Sequence, residues 1–376
     1  MPDLRARAIT HMYRTEPRMF FRLAFRLLHP GVAYEHNWSI DVLGEALARC
    51  ARGETRRLIV NMPPRSLKSL CSSVAFPAWL LGVRPDCQIM CVAGHRGLAE
   101  DQHELALRLM TDKRYRSLFP HVRIGESHGR LALPQGGYRL GLTPSAAITG
   151  RGADVVIIDD PQSPSNAEDA GATRDVRRWY DRNVYPRLND KKTGVVIVVM
   201  QRLAHDDLTA HLVAQGGWDV ISLPAIAEAD EHLPASLGGG LARCAGEALH
   251  PDREDRDALR EALIRMGAKA FMAQYQQKPY GPGEGEGHGG AFHLVREDPE
   301  HRTMYSPVMF LQVDQEQFVL QELFGEETTA HPGPPPPMTE EAWRHRAQSL
   351  RRGEPSPDRW IKLSDTARGT PADLSA

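Results

Sequence analysis

The stretch Leu58-Ile59-Val60-Asn61-Met62-Pro63-Pro64-Arg65-Ser66-Leu67-Lys68-Ser69 decides the fold: an apolar strand, predicted over 58–62, runs into a tight loop ending in Lys-Ser. A helical pattern over 68–81 follows. Strand, loop, Lys-Ser and helix is the layout of a phosphate-binding loop. Its backbone N–H groups and helix N-terminus cradle phosphates, Lys68 reaches the β and γ oxygens, and the Ser69 hydroxyl holds Mg²⁺. Pro64, Arg65, Ser66, Leu67, Lys68 and Ser69 are thus the candidate ATP-binding residues. Met62 and Leu67 stand where the common signature has glycine, so this loop alone is as readily a chance Lys-Ser at a helix start.

Farther along, Val155-Val156-Ile157-Ile158-Asp159-Asp160 is an apolar strand ending in two carboxylates. Such a pair often only caps a turn. Placed 90 residues after Ser69 in an alternating β/α chain, it favours a hydrolysing ATPase, with Asp159 on Mg²⁺ through water and Asp160 polarising the attacking water. A third strand, 195–200, ends in Gln201-Arg202. In the additional-strand class of P-loop ATPases a polar residue here sits beside the γ-phosphate, and Gln201 is the candidate. Thr149-Gly150-Arg151-Gly152-Ala153-Asp154 sets an arginine in a glycine-flanked loop. Arg151 either reaches phosphate, in cis or in a neighbouring subunit, or is a surface arginine in a turn.

Apolar runs at 58–62, 88–93, 138–142, 154–158, 195–200 and 219–223 alternate with helical patterns at 68–81, 98–111, 172–188 and 206–215. That alternation predicts an α/β fold, a P-loop NTPase of RecA-like, additional-strand type with a parallel sheet flanked by helices. Around the core at 56–235 the sequence predicts an N-terminal helical lead (1–55), a small helical appendage (236–280), a Gly-rich flexible linker (281–290) and a short, poorly ordered tail (291–376). Residues 4–28 read as one basic amphipathic helix, packed on the body or, less readily, an arm for membrane or DNA.

The 376 residues are 41% hydrophobic, enough for a sizeable core, and 46 basic against 48 acidic residues leave a net charge of −2. Any contact with DNA is therefore local. Arg174, Arg177, Arg178 and Arg182, on the helix after Pro161, are candidates, with a solvated helix face as the plainer reading. Five cysteines, Cys50, Cys71, Cys87, Cys91 and Cys244, contain no CxxC pair and read as packed thiols. His95, His103, His205 and His211 show no metal-ligand spacing, leaving the Mg²⁺ carried with ATP as the expected metal. No apolar run approaches the roughly 20 residues of a membrane span.

Six ordered blocks resemble the ATPase half of the tailed-bacteriophage terminase large subunits across roughly residues 30 to 280. They are Pro63–Ser69, Phe76-Pro77-Ala78-Trp79-Leu80-Leu81-Gly82, Thr149–Asp154 with Ile157-Ile158-Asp159-Asp160-Pro161, Arg187-Leu188-Asn189-Asp190, Val199-Met200-Gln201-Arg202-Leu203, and Gln274-Tyr275-Gln276-Gln277. The resemblance implies an ATP-driven motor that pumps double-stranded DNA into a procapsid, docked as a homo-oligomeric ring on the portal protein and working with a small terminase subunit. Members of this branch also often lack the loop glycines and carry Pro-Pro-Arg. By this analogy Arg65 senses the γ-phosphate and Arg151 is a finger acting across the ring, in the cytoplasm of an infected or lysogenic bacterium.

A full-length large terminase continues into a two-metal nuclease. The 86 residues after Gly290 are too few for that domain, so the chain is expected not to cut DNA unaided. Asp314 with Glu316, and Ser364-Asp365-Thr366-Ala367, are weak carboxylate candidates in the tail. The alternative is an inactive prophage-derived remnant that binds nucleotide or partner subunits without turnover. A helicase-type ATPase is disfavoured, since no second motor domain is visible.

Overall fold

The computed structural model describes residues 2–127, 129–145, 150–166, 169–281 and 323–324. The chain divides into two units, 1–262 with 269–281, and 263–268 with 282–376. The first unit holds the sheet and the candidate site described below. The predicted linker beyond Gly281 and the tail carboxylates Asp314, Glu316 and Asp365 lie outside the described residues.

Eight strands form one sheet: β1 (Arg57–Asn61), β2 (Gln88–Ala93), β3 (Gly125–Ser127), β4 (Arg130–Ala132), β5 (Tyr138–Leu142), β6 (Val155–Asp159), β7 (Val195–Met200) and β8 (Asp219–Ser222). Their spatial order is β3-β4-β5-β2-β6-β7-β1-β8, parallel from β5 to β8, with β3 and β4 antiparallel at one edge. All six predicted strands are present, each within a residue of its expected bounds. The β3–β4 hairpin was not legible: Gly125–Ser127 is exposed throughout and lacks an apolar pattern. A separate antiparallel ribbon, β9 (Glu231–Leu233) with β10 (Gly240–Arg243), straddles the expected boundary between core and appendage at 235.

The helices are α1 (Pro2–Thr15), α2 (Pro17–Leu28), α3 (Trp38–Arg52), α4 (Phe76–Val83), α5 (Arg96–Thr111), α6 (Lys113–Leu118), α7 (Ala170–Trp179), α8 (Leu208–Gln215), α9 (Arg256–Met266) and α10 (Ala268–Gln274). The single helix expected over 4–28 is two. Pro17 has no N–H to continue α1 and instead occupies the first turn of α2, where none is needed. Helices cover both faces of the sheet, which is why its strands are apolar on both sides. One face buries Leu58, Val60, Ile89, Cys91, Ile157 and Val199 under α2 to α6; the other buries Ile59, Val92, Ile158 and Val198 under α7 and α8.

Proline shapes the element after the loop as well. Helical geometry begins at Lys68, widens to a π-turn over Leu70–Ala75 and returns to α-helix at Phe76. In an α-helix the Ser73 carbonyl would accept from the N–H of residue 77, but residue 77 is proline, whose ring also crowds that carbonyl. The fully buried Arg139 of β5 takes over, donating to Ser73 O from Nε at 3.2 Å and Nη2 at 2.9 Å.

Candidate active site

Parallel strands present their carboxyl ends on one side, and the ends of β1, β7 and β6 lie adjacent there. The loop after β1 is compact. Arg65 has φ 62° and Leu67 φ 60°, left-handed backbone that glycine adopts freely and a bulky side chain does not. Leu67 thus holds the glycine conformation at a glycine position of the common signature. Ser66 Oγ donates to Pro63 O at 2.8 Å and tightens the turn.

The loop converges with the two aspartates. Lys68 Nζ lies 3.3 Å from Asp160 Oδ2, and Ser69 Oγ donates to Asp159 Oδ1 at 2.9 Å. Asp159 is 1% exposed and also accepts from Ser73 Oγ and Gln102 Nε2, both at 2.7 Å. Burial, then the neighbouring charge of Asp160, pushes its carboxyl to about 6, while Ser73, Lys68 and Ser69 pull it back. Asp160 has φ 42°, itself a strained value, and its Oδ1 accepts the Gln201 backbone N–H at 3.0 Å. The geometry is fixed from behind by Gly94, where a Cβ would stand 2.1 Å from the Asp160 carbonyl oxygen.

Gln201 sits at the end of β7, between β1 and β6, and its buried Oε1 has no hydrogen-bond partner among the described residues. Its neighbour Arg202 turns elsewhere: Nε pairs with both oxygens of the buried Asp207, at 3.0 and 2.8 Å, and its N–H donates to Gln277 Oε1 at 2.9 Å. Gln276 binds both the N–H and the carbonyl of Ile226. The Gln-Tyr-Gln-Gln segment therefore latches onto the chain around β7 and β8.

Beside the loop lies a cavity of about 330 Å³ whose lining includes Tyr34, Glu35, Arg65, Ser66, Arg253 and Glu254. Arg65 is exposed there, and its carbonyl accepts from Arg253 Nη1. Nucleotide and Mg²⁺ fit this donor set: a loop of backbone amides with Lys68, a hydroxyl and a carboxylate side by side at Ser69 and Asp159, and an unpartnered acceptor at Gln201.

Arg151 is not brought to this site. It precedes β6, at the opposite end of a strand that itself spans about 13 Å, and it is exposed. A guanidinium placed there makes no contact with this chain's own loop among the described residues, and the reading of Arg151 as a surface arginine in a turn stands beside that of a contact to a neighbouring subunit. The flanking motif is scaffold: Asn189 Nδ2 donates to Asp154 Oδ1 at 2.8 Å, and a Cβ on Gly152 would lie 1.9 Å from Asn189 Oδ1. Thr149 lies outside the described residues. On α7, Arg177 pairs with Asp206 at 3.0 Å, while Arg174, Arg178 and, in the π-turn Tyr180–Val184 that continues the helix, Arg182 are exposed.

Cys50, Cys71, Cys87 and Cys91 are buried and Cys244 is exposed, all unpaired. The four histidines have local partners, His95 capping α5 and the others facing Glu126, Asp206 and Asp181. Among the described residues no cluster of three or more His, Cys, Asp or Glu could hold a metal, and no helix is long and apolar enough to cross a membrane. Sequence reading missed Ser73 and Gln102, which donate to Asp159, and Arg139, which holds the Ser73 carbonyl. Gln102 carried the one available signal, a polar residue in the buried stripe Ala99, Ala106, Leu109 and Met110 of α5.

A mostly parallel sheet in which β7 separates the loop strand β1 from the aspartate strand β6 defines a P-loop fold of the additional-strand class. No protein-family model and no curated protein matches the chain. Among solved structures it is similar to the large terminase of bacteriophage HK97, with 16% identity and TM-score 0.42 over 70% of this chain and 54% of that one. The chain thus spans about half the length of that terminase. It is also similar to the large terminase ATPase domain of Thermus phage P74-26, with 14% identity and TM-score 0.42 over 68% and 97%. A DUF1998 helicase, MrfA, shows 11% identity and TM-score 0.31 over 56% and 33%.

Proposed function

We propose that this chain is the ATP-hydrolysing motor of a phage large terminase, driving double-stranded DNA into a procapsid. The observation that carries the reading is the convergence of Lys68 and Ser69 on Asp159 and Asp160, with Gln201 at the end of the intervening strand. Lys68 and the loop amides hold the phosphates, and Ser69 with Asp159 hold the Mg²⁺ that ATP carries. Asp160 orients a water against the γ-phosphorus. The new P–O bond forms as the bond to the β–γ bridging oxygen breaks, ADP leaves, and the water's proton passes to Asp160. The phosphates draw Lys68 away from Asp160 and free that carboxylate for the water.

Arg65 stands in the loop to contact the γ-phosphate, and the cavity beside it takes the nucleoside. Gln201 supplies an unpartnered oxygen near the reacting water, which lets β7 register the loss of the γ-phosphate. Arg174, Arg178 and Arg182 are the exposed arginines for DNA phosphates, and Arg151 serves a neighbouring subunit in a ring on the portal. The host cytoplasm is the setting this work requires. The test is packaging itself: procapsids bearing portal, small subunit, ATP and linear DNA, assayed for nuclease-protected DNA. Protection with the wild type and none with Lys68→Ala or Asp160→Ala supports the reading; ATP turnover with no DNA protected refutes a packaging role.

A further inference from the structure

The hydrogen bonds to Asp159 fall unevenly on its two oxygens. Among the described residues, Oδ2 accepts from Ser73 Oγ and Gln102 Nε2, each at 2.7 Å, and Oδ1 accepts from Ser69 Oγ alone at 2.9 Å. A carboxylate oxygen offers two in-plane acceptor positions. Protein donors therefore fill Oδ2, whereas Oδ1 keeps one position open beside the Ser69 hydroxyl. Both donors to Oδ2 are rigidly held. Gln102 is 3% exposed, in the packed stripe of α5. Ser73 lies in the π-turn, its carbonyl clamped by Arg139, which is 0% exposed.

We propose that Gln102 is a positioning residue for Mg-nucleotide: with Ser73 it pins Oδ2 of Asp159, so that Oδ1 and Ser69 together face the incoming Mg²⁺. The inference rests on reading the site as one for Mg-ATP, and it adds a residue that no loop or strand-end motif contains. Without the amide, Ser73 alone holds Oδ2, and the plane of the carboxylate can tilt away from the orientation that sets Oδ1 beside the Ser69 hydroxyl. Partners one step removed from a metal typically contribute 10- to 100-fold to its affinity.

The test is Mg²⁺ titration of the full chain with a fluorescent ADP analogue, comparing wild type, Gln102→Met, Gln102→Asn and Ser73→Ala. The half-saturating Mg²⁺ concentration should rise about 10-fold or more in Gln102→Met. It should rise comparably in Gln102→Asn, whose amide stops one methylene short, and in Ser73→Ala. Analogue binding in EDTA should stay within about twofold of wild type, consistent with an effect confined to the metal. If Gln102→Met does not fold, the other two variants carry the same comparison. A Gln102 that only fills the core gives a lower melting temperature, binding in EDTA weakened in parallel and an unchanged Mg²⁺ half-saturation, which overturns the proposal. A wild type whose binding Mg²⁺ does not tighten contradicts the Mg-ATP reading itself, and the role of Gln102 with it.

Discussion

Two consecutive aspartates end β6 in opposite surroundings, Asp159 sealed among hydroxyls and an amide, Asp160 half-buried against Lys68. Because burial raises Asp159, the native state keeps a proton that the unfolded chain loses near pH 4. The resulting stability is complete below the unfolded value and lost as pH rises through about 6. Asp159→Asn, measured in EDTA, should therefore gain roughly 1–3 kcal/mol over wild type at pH 8 and little at pH 4. Equal differences at both pH values would contradict the burial argument. Gly94→Ala tests the backbone behind Asp160, since a Cβ 2.1 Å from its carbonyl oxygen must displace it. The expected cost is about 2 kcal/mol of stability, with at least a roughly tenfold drop in turnover. Calorimetry and steady-state rates check both.

At the scale of elements, Pro77, Ser73 and Arg139 form one device linking helix geometry to the site. Arg139→Met leaves the Ser73 carbonyl without a donor and should cost about 1–3 kcal/mol. In Pro77→Ala the new N–H can serve that carbonyl. The double variant should therefore recover about 1–2 kcal/mol of that loss in denaturant unfolding, whereas strict additivity would show that the two residues are unconnected. The sheet was legible because strands buried on both faces read as apolar runs, and Lys68, Ser69, Asp159, Asp160 and Gln201 because strand ends concentrate chemistry in short motifs. Gln102 and Ser73 were not, standing 57 and 86 residues from Asp159, the first among charged neighbours in α5 and the second inside an apolar segment. Only tertiary packing joins them. The break at Pro17 was written in the sequence, but a periodic apolar stripe on both sides of it concealed it.

For the whole molecule, the position of Arg151 at the amino end of β6 makes the proposed ring testable. Arg151→Ala should bind Mg-nucleotide like wild type as an isolated subunit yet lose most turnover on the portal. In mixed rings, activity should fall more steeply than the fraction of variant subunits; a linear fall, or loss of binding in the isolated chain, would show that Arg151 acts otherwise. The central claim is that the loop after β1 and the aspartates after β6 turn over ATP in the service of DNA movement. Steady-state ATP hydrolysis by the purified chain, with and without double-stranded DNA, tests it most directly, beside Lys68→Ala and Asp160→Ala. The account predicts Mg²⁺-dependent turnover that DNA stimulates and that both substitutions abolish. Turnover surviving either substitution, or no turnover even with portal and small subunit added, would contradict it.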